Sequence, residues 1–405
     1  MSSRPSSLRI VVTGLVGAYP VGGVAWDYLQ YPIGLARLGH DVVYHEDTWI
    51  WPYHPIENRP VETATYSVDY ISRFFRNYAP ELSHRWHYRH LNTESFGMSE
   101  RAFRDFARSA DLCLNVSAAN PLPADLGPKC VKAFLDTDPG YNQIVLSERP
   151  QWSSNVDRWV AEFARYDRYL TYAENINASD CLVPRLGVDW ITTRMPIVIP
   201  LWGDLPAAPR GAPWSTVMTW NGFRGPLIYD GHEYGSKGVE FAKIMSLPKR
   251  ISHPLTVALG GAAPVQELLQ QGWTAVDAPK VTVTPESYRA FIADSRGEVS
   301  TAKNVYVAMK TGWFSCRTAC YLAAGRPAVV QDTGFSKTIP LGQGLFAFDT
   351  LEQAASGIDT VERDYRSHAE AARDLAADQF GSDKVLTRML DDIFAAGAKT
   401  VSKTV

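Results

Sequence analysis

The sequence predicts an α/β protein made of two Rossmann-like domains that face each other across a cleft. Three observations favour this fold class. The chain has 405 residues, more than one ordinary hydrophobic core holds. A strand, a glycine loop, a helix and a second strand follow one another at the amino end, and this rhythm restarts after a proline-rich run at 184–213. We therefore expect one domain over residues 1–205 and another over residues 206–380.

The composition is that of a soluble globular protein, with a net charge of −3. This balance gives no general signature of nucleic-acid binding. The five cysteines are odd in number and lie mostly in apolar runs. Because no signal peptide and no run of membrane-spanning length is present, we expect reduced thiols, a cytoplasmic location and no transmembrane segment.

The first element is an apolar strand at 8–13, and it leads into a loop that contains Gly14, Gly17, Gly22 and Gly23. A helical pattern at 24–38 and a strand at 41–45 follow. In such a unit the loop lies at the carboxyl edge of a parallel sheet, where ligands bind. Thr13 to Gly17 resembles the start of the dehydrogenase dinucleotide fingerprint, but its third glycine would fall on Pro20, so an NAD-dependent enzyme is the less favoured alternative.

Residues 49–92 form an aromatic and basic insertion that breaks this rhythm. His84, His87 and His90 are spaced three apart, and this spacing drifts around a helix with no cysteine or carboxylate interleaved. We therefore expect an exposed amphipathic segment rather than a metal site. Rings and guanidinium groups suit sugars, aromatic aglycones or anions, so this insertion is a candidate wall for an acceptor.

Two further buried strands are predicted at 112–116 and 131–135, and the second ends in Asp136-Thr137-Asp138-Pro139-Gly140. The aspartates could hold a divalent ion, form a turn, or face the cleft as a base for an acceptor hydroxyl. We favour the base and assign it to Asp138. Asp27, Glu46 and Asp47 compete for this role, with Asp27 the second choice.

Beyond the proline-rich run, the spacing predicts strands at 227–229, 255–259, 281–283 and 345–348, and helices at 239–245, 265–271 and 285–293. Thr284 is the expected cap of the last of these helices. Another helix is capped by Thr350, with Gln353 in capping-box position, and one more follows Ser382.

The stretch from Gly312 to Gly334 carries the most chemistry. Ser315 suits the N-cap of a helix over 316–324, and a buried strand follows at 328–331. Free amides at the helix start, with Ser315, Arg317 and Thr318 as side-chain donors, make a site for a diphosphate. Asp332, Thr333 and Gly334 form the polar loop after the strand.

This stretch resembles the donor site of nucleotide-sugar glycosyltransferases with the two-domain GT-B fold. The earlier run from Tyr229 to Gly238 is similar to the phosphate-binding loop of the family-four enzymes, with Lys237 matching and His232 standing where that family has arginine. The family's paired glutamates are absent, and Gly312 and Cys320 take their places. The sequence therefore leaves both retention and inversion of configuration open.

The resemblance implies transfer of a sugar from a nucleoside diphosphate sugar to an acceptor hydroxyl, with no metal or other cofactor. Lys237, Arg317 and the helix start would stabilise the departing diphosphate. Asp332 would contact the donor sugar, and Gly22 and Gly23 would let the backbone approach a ligand. It also implies that a final helix within 381–405 crosses back to the first domain.

Two other classes remain open at this point. A GT-B-fold epimerase or phosphorylase would use the same scaffold, and a non-catalytic sugar-nucleotide binding protein would use the same cations. The acceptor could be a small molecule, a saccharide or a modified base in a polymer.

Overall fold

The computed structural model describes residues 7–395, which form two parallel sheets with helices packed against them. The first sheet has eight strands in the order β10-β9-β8-β7-β1-β2-β5-β6. Its strands, together with the separate β3–β4 hairpin, are β1 Arg9–Thr13, β2 Asp41–Glu46, β3 Tyr53–His54, β4 Arg59–Pro60, β5 Trp86–His90, β6 Glu94–Gly97, β7 Leu112–Val116, β8 Val131–Asp136, β9 Arg168–Thr171 and β10 Trp190–Thr192. Only β6 runs antiparallel to its neighbour in this sheet.

Six helices belong to this first half, and most present one apolar face to the sheet. They are α1 Gly22–Tyr28, α2 Gln30–Arg37, α3 Thr65–Tyr78, α4 Glu100–Arg108, α5 Tyr141–Glu148 and α6 Val156–Phe163. The single helix expected at 24–38 is thus two helices. They are separated at Leu29, and Pro32 lies within the first turn of α2, where its missing N–H costs nothing.

The second sheet has six parallel strands in the order β15-β14-β11-β16-β17-β18, and a small hairpin of β12 and β13 stands apart from it. The strands are β11 Trp214–Thr219, β12 Leu227–Tyr229, β13 His232–Tyr234, β14 Leu255–Gly260, β15 Thr274–Asp277, β16 Gly297–Ser300, β17 Ala328–Gln331 and β18 Leu345–Phe348. The helices of this half are α7 Lys237–Phe241, α8 Val265–Gln271, α9 Pro279–Thr282, α10 Pro285–Ala293, α11 Asn304–Ala308, α12 Cys316–Ala323, α13 Leu351–Arg363, α14 Tyr365–Gln379 and α15 Ser382–Phe394.

The two halves are in direct contact. The indole of Trp26 in α1 donates to the Pro285 carbonyl at the start of α10, at 3.0 Å. The side-chain amide of Asn175 donates to the Gly334 carbonyl, also at 3.0 Å. At the carboxyl end, α15 packs against α2, with Leu386 lying where a side chain on Gly34 would stand. The domain boundaries themselves stay a prediction, and residues 1–6 and 396–405 lie outside the described residues.

Several sequence-based expectations for single elements are wrong. Residues 281–283 lie in and just after the short helix α9, not in a strand. His87 and His90 lie in the strand β5, and both are buried. His84 precedes this strand and is exposed. Because β5 pairs with β2, this part of the insertion extends the sheet instead of forming an exposed amphipathic segment.

The capping predictions are confirmed for two helices. Thr284 caps α10, and Thr350 with Gln353 forms the capping box of α13. No helix within residues 7–395 is both long and apolar enough to cross a membrane.

Candidate active site

A cavity of about 370 Å³ lies between the two halves of the molecule. On one side it is lined by Val21, Gly23 and Val24, at the start of α1. On the other side it is lined by the end of β11, the residues after it and parts of α7, α10 and α12. It therefore lies at the carboxyl ends of strands from both sheets, where open α/β folds bind their ligands.

Three cations line this cavity: Lys237, Lys303 and Arg317. Lys237 is the first residue of α7, and its ammonium group makes no hydrogen bond or ion pair within residues 7–395. Burial lowers the pKa of Lys237 well below its ordinary value, and the charges of Arg317 and Lys303 lower it further, against the effect of Glu298. An anion in the cavity would relieve this penalty.

Arg317 is held in place by groups on the sheet below it. Its Nε donates to Glu298 at 2.5 Å, and its Nη1 donates to the Val217 carbonyl at 2.6 Å. Burial opposes the charge of Arg317, but the fully buried carboxylate of Glu298 raises its pKa. Arg317 therefore stays a cation, and its Nη2 group makes no hydrogen bond within the described chain.

Lys303 links the two halves. Its ammonium group forms an ion pair with Asp138 of the first half, and the Tyr306 hydroxyl donates to the other oxygen of the same carboxylate. The Tyr141 and Phe223 rings lie within 6 Å of the ammonium group. Asp138, the predicted base, is thus engaged in a contact between domains.

Asp27 is differently placed. It lies on α1 four residues after Gly23, so both residues lie on the same face of that helix. Burial raises the pKa of the Asp27 carboxyl to about 6, although the adjacent Cys316 thiol favours the charged form. No ion pair engages Asp27 within residues 7–395. It is therefore the better candidate for a proton acceptor near neutral pH.

The other two carboxylates that competed for this role have structural partners. Glu46 is fully buried and accepts the Gly17 amide at 2.7 Å, and also the Ala18 amide and the Tyr44 hydroxyl. Asp47 pairs with Arg89 at 2.8 Å. Because Glu46 occupies the amides that a dinucleotide phosphate would use, the loop at residues 14–18 is not arranged as a dinucleotide site.

The start of α12 borders a much smaller cavity of about 10 Å³, room for one water molecule, which is lined among others by Ser315, Arg317 and Thr318. Ser315 is the N-cap residue, but its hydroxyl makes no capping hydrogen bond, so the first amides of α12 are left to other acceptors. Both cavities share Arg317. The structure thus places Lys237, Arg317 and the start of α12 near one another, and their role in donor binding stays a prediction.

Four other predicted binding residues lie outside the large cavity. Asp332 accepts the Gly334 amide at 2.8 Å and the Ser336 hydroxyl at 2.5 Å, and so shapes its own turn. Thr333, which borders the small cavity, donates to the Trp313 carbonyl at 2.5 Å. His232 is exposed on the β12–β13 hairpin, where its ring lies 2.8 Å from the Asp230 carbonyl. That hairpin has an Asp-Gly turn and is inserted between β11 and Lys237.

The two glycines at the start of α1 have different surroundings. A Cβ on Gly22 would lie 2.5 Å from the Thr284 carbonyl oxygen, so this glycine permits α1 to pack on α10. Gly23 lines the cavity, and a Cβ there would lie 3.5 Å from the Tyr288 ring. Only Gly23 therefore borders the space for a ligand.

Three residues that line or support the cavity were not predicted from the sequence: Lys303, Glu298 and Tyr288. Glu298 lies in β16 and Lys303 lies three residues after it. This strand was not predicted. The signal that could have revealed it is weak, because Gly-Glu-Val-Ser lacks an apolar run. As for a metal, residues 7–395 contain no group of three histidine, cysteine or acidic side chains placed to hold one.

Known structures resemble this one over nearly their whole length. An α-glucosyltransferase in complex with UDP and a 13-mer DNA has a TM-score of 0.57 and 12% identity, covering 96% of this chain and 99% of the other. HepE of Anabaena, in complex with UDP and glucose, has a TM-score of 0.55 and 14% identity, covering 96% and 100%. Sucrose-phosphate synthase of Thermosynechococcus elongatus has a TM-score of 0.51 and 13% identity, covering 96% and 99%.

At these identities the likeness shows the fold, and it confirms the predicted GT-B class of two facing Rossmann-like domains. No family model matches the sequence, and no curated protein matches it.

Proposed function

We propose that this chain is a glycosyltransferase that moves a sugar from a nucleoside diphosphate sugar to an acceptor hydroxyl without a metal ion. The observation that carries the proposal is the convergence of Lys237, Lys303 and Arg317 on one cavity between the domains. Lys237 has no ionic partner within residues 7–395 and lies among like charges, an arrangement that an anionic ligand would stabilise.

A diphosphate is the leaving group that this arrangement suits. Its negative charge grows as the bond to the sugar breaks, so fixed cations favour the transition state over the ground state. Arg317 is preorganised by Glu298 and Val217, and the start of α12 adds amide donors beside it. Two of the structures that resemble this one hold UDP, which supports a uridine diphosphate sugar as the donor.

In this mechanism Asp27 takes the proton from the acceptor hydroxyl. Its raised pKa of about 6 leaves it ionised at neutral pH but still basic enough to accept a proton. Asp138 forms an ion pair with Lys303 across the two halves, which leaves it less available as a base.

The acceptor would approach from the first domain. There a group of exposed apolar side chains follows β1 and β2, with Tyr19 36%, Trp49 50% and Trp51 52% exposed. The Tyr53 amide donates to the Ala18 carbonyl at 2.8 Å, which ties this surface to the loop that leads to the cavity. Exposed rings of this kind favour a saccharide or an aromatic acceptor over a bare anion. The five cysteines are free thiols, in keeping with our inference of a cytoplasmic enzyme.

The first experiment is a thermal-shift screen with UDP, GDP, dTDP, ADP and NAD. We expect one nucleoside diphosphate to raise the melting temperature of the wild type and of Lys249→Met, whose lysine is exposed and distant, but not of Lys237→Met. Stabilisation by NAD alone would overturn the proposal. Turnover of the matching nucleotide sugar with no acceptor added would point to an epimerase or phosphorylase instead.

A further inference from the structure

We propose that another cavity, at the opposite edge of the second sheet from the candidate active site, binds a small phosphorylated molecule. The cavity has a volume of about 440 Å³, within the ~300–1,000 Å³ typical of small-molecule sites. Five arginines and one glutamate line it: Arg210, Arg296, Arg326, Arg366, Arg373 and Glu370. We call it the arginine pocket. It shares no lining residue with the candidate active site.

The position of the arginine pocket follows from the fold. Arg296 directly precedes β16, and Arg326 lies just before β17, so the pocket lies at the amino ends of these strands. The candidate active site lies at the carboxyl ends of the same sheet. Arg366 and Arg373 come from α14, and Arg210 comes from the segment that joins the two sheets.

Only part of the positive charge in this pocket is neutralised. Arg296 pairs with Glu362 at 2.8 Å, and Arg366 pairs with Glu370 at 3.0 Å. Arg210 and Arg373 form no ion pair or hydrogen bond within residues 7–395. Arg326 has no carboxylate partner among those residues either.

One of the charges in this pocket, that of Arg326, lies in the protein interior. This arginine is fully buried, and its guanidinium group donates only to the carbonyl oxygens of Ala293, Ala324 and Pro206. Burial lowers the pKa of Arg326, and the charge of Arg373 lowers it further, although Tyr365 and Asp294 have the opposite effect. Three guanidinium groups that form no ion pair, around one concavity, give a region of positive potential.

Phosphate is the anion that this chemistry favours. A guanidinium group presents paired N–H donors that match two phosphate oxygens, which a single ammonium group does not. The Arg373 guanidinium lies against Gly325, where a side-chain Cβ would stand 2.5 Å from it, and it has no hydrogen-bond or ion-pair partner within residues 7–395. The overall net charge of −3 favours a small ligand over a nucleic-acid chain.

Binding would have a mechanical consequence. A phosphorylated ligand held by Arg210 and Arg373 would connect the inter-sheet segment to α14, and so restrain how the two halves move.

The test is calorimetric titration of inorganic pyrophosphate at fixed ionic strength. All variants carry Lys237→Met, which removes one of the three cations of the cleft, so that pyrophosphate binds more weakly there, and leaves the arginine pocket intact. We expect this background to keep one binding event, and Arg373→Gln to weaken it about tenfold, the effect of losing one charge-assisted contact. Arg210→Gln, at an exposed residue with no ion pair or hydrogen bond within residues 7–395, should weaken it by a similar factor. The control Arg101→Gln, at a side chain 94% exposed on α4, should change nothing.

Loss of all pyrophosphate binding in the Lys237→Met background would overturn the proposal, and so would equal affinity in Arg210→Gln and its parent. A short single-stranded oligonucleotide that binds the background more tightly than pyrophosphate, and loses affinity in Arg373→Gln, would overturn the assignment to a small molecule.

Discussion

At the scale of single residues, the unpaired ammonium group of Lys237 opposes folding and favours binding. Its pKa is depressed in the folded state, so the folded protein is penalised at any pH below the ordinary lysine pKa, and the penalty disappears as the pH rises toward that value. We expect Lys237→Met to be more stable than the wild type at pH 7 without ligand, with a free energy of unfolding higher by ~1 kcal/mol. The same variant should bind the nucleoside diphosphate at least about tenfold more weakly. Equal stability and equal affinity would show that Lys237 faces no ligand.

Asp27 gives a prediction in pH. Its carboxyl must be ionised to accept a proton, and burial raises its pKa to about 6. The rate of transfer should therefore fall as the pH drops through about 6 and level off above it. Asp27→Asn should lose about 100-fold or more in kcat and lack this inflection, with nucleotide affinity unchanged. An unchanged inflection in Asp27→Asn would assign the titration to another group.

At the scale of elements, the helix pair α1 and α10 holds the cleft together. A Cβ on Gly22 would lie 2.5 Å from the Thr284 carbonyl oxygen, and backbone cannot give way as a flexible side chain can. We expect Gly22→Ala to lower the free energy of unfolding by ~1–3 kcal/mol and to weaken nucleotide binding, as measured by denaturation and calorimetry. Gly203→Ala is the control, since its nearest neighbour lies at 3.6 Å. Behaviour of Gly22→Ala like that control would mean that α1 and α10 are apart in solution.

The strand β16 was not predicted because it is buried and yet contains a charged residue. In β16 all four residues are buried, yet the strand reads Gly-Glu-Val-Ser. Glu298 is tolerated there because Arg317, from a helix 19 residues later, neutralises it. Pattern reasoning sees only the lone carboxylate, so it cannot identify the strand.

At the scale of the whole molecule, the ion pair between Asp138 and Lys303 competes with the ligand. Lys303 lines the cavity but is engaged by a carboxylate of the opposite half. Asp138→Asn should free it and tighten nucleotide binding about two- to fivefold, since a partly exposed ion pair contributes up to ~1 kcal/mol. Asp180→Asn is the matched control, because Asp180 pairs with Lys337 away from the cavity. If Asp138→Asn instead lowers kcat with affinity unchanged, Asp138 is the base.

Local patterns in the sequence predicted most of the strand and helix order, since capping residues, glycines and apolar runs act within a few positions of the chain. The GT-B class came from the resemblance of two segments to a known donor site, and it is confirmed. The donor role of Lys237 and of the segment from Ser315 to Thr318 stays a prediction. The sequence did not show that Asp138 pairs with a cation of the second half while Asp27 does not, because that pairing joins residues far apart in the chain. Nor did it show that Asp332 shapes its own turn.

Only the tertiary structure shows that Asp138 pairs with Lys303, that Asp332 hydrogen-bonds within its own turn, that Glu298 pairs with Arg317, and which arginines meet in the arginine pocket. Lys303 and Asp138 are 165 residues apart in the chain, and Arg326 joins Arg373 only because α14 folds back over α12. Burial and charge act through space, so no spacing along the sequence records them.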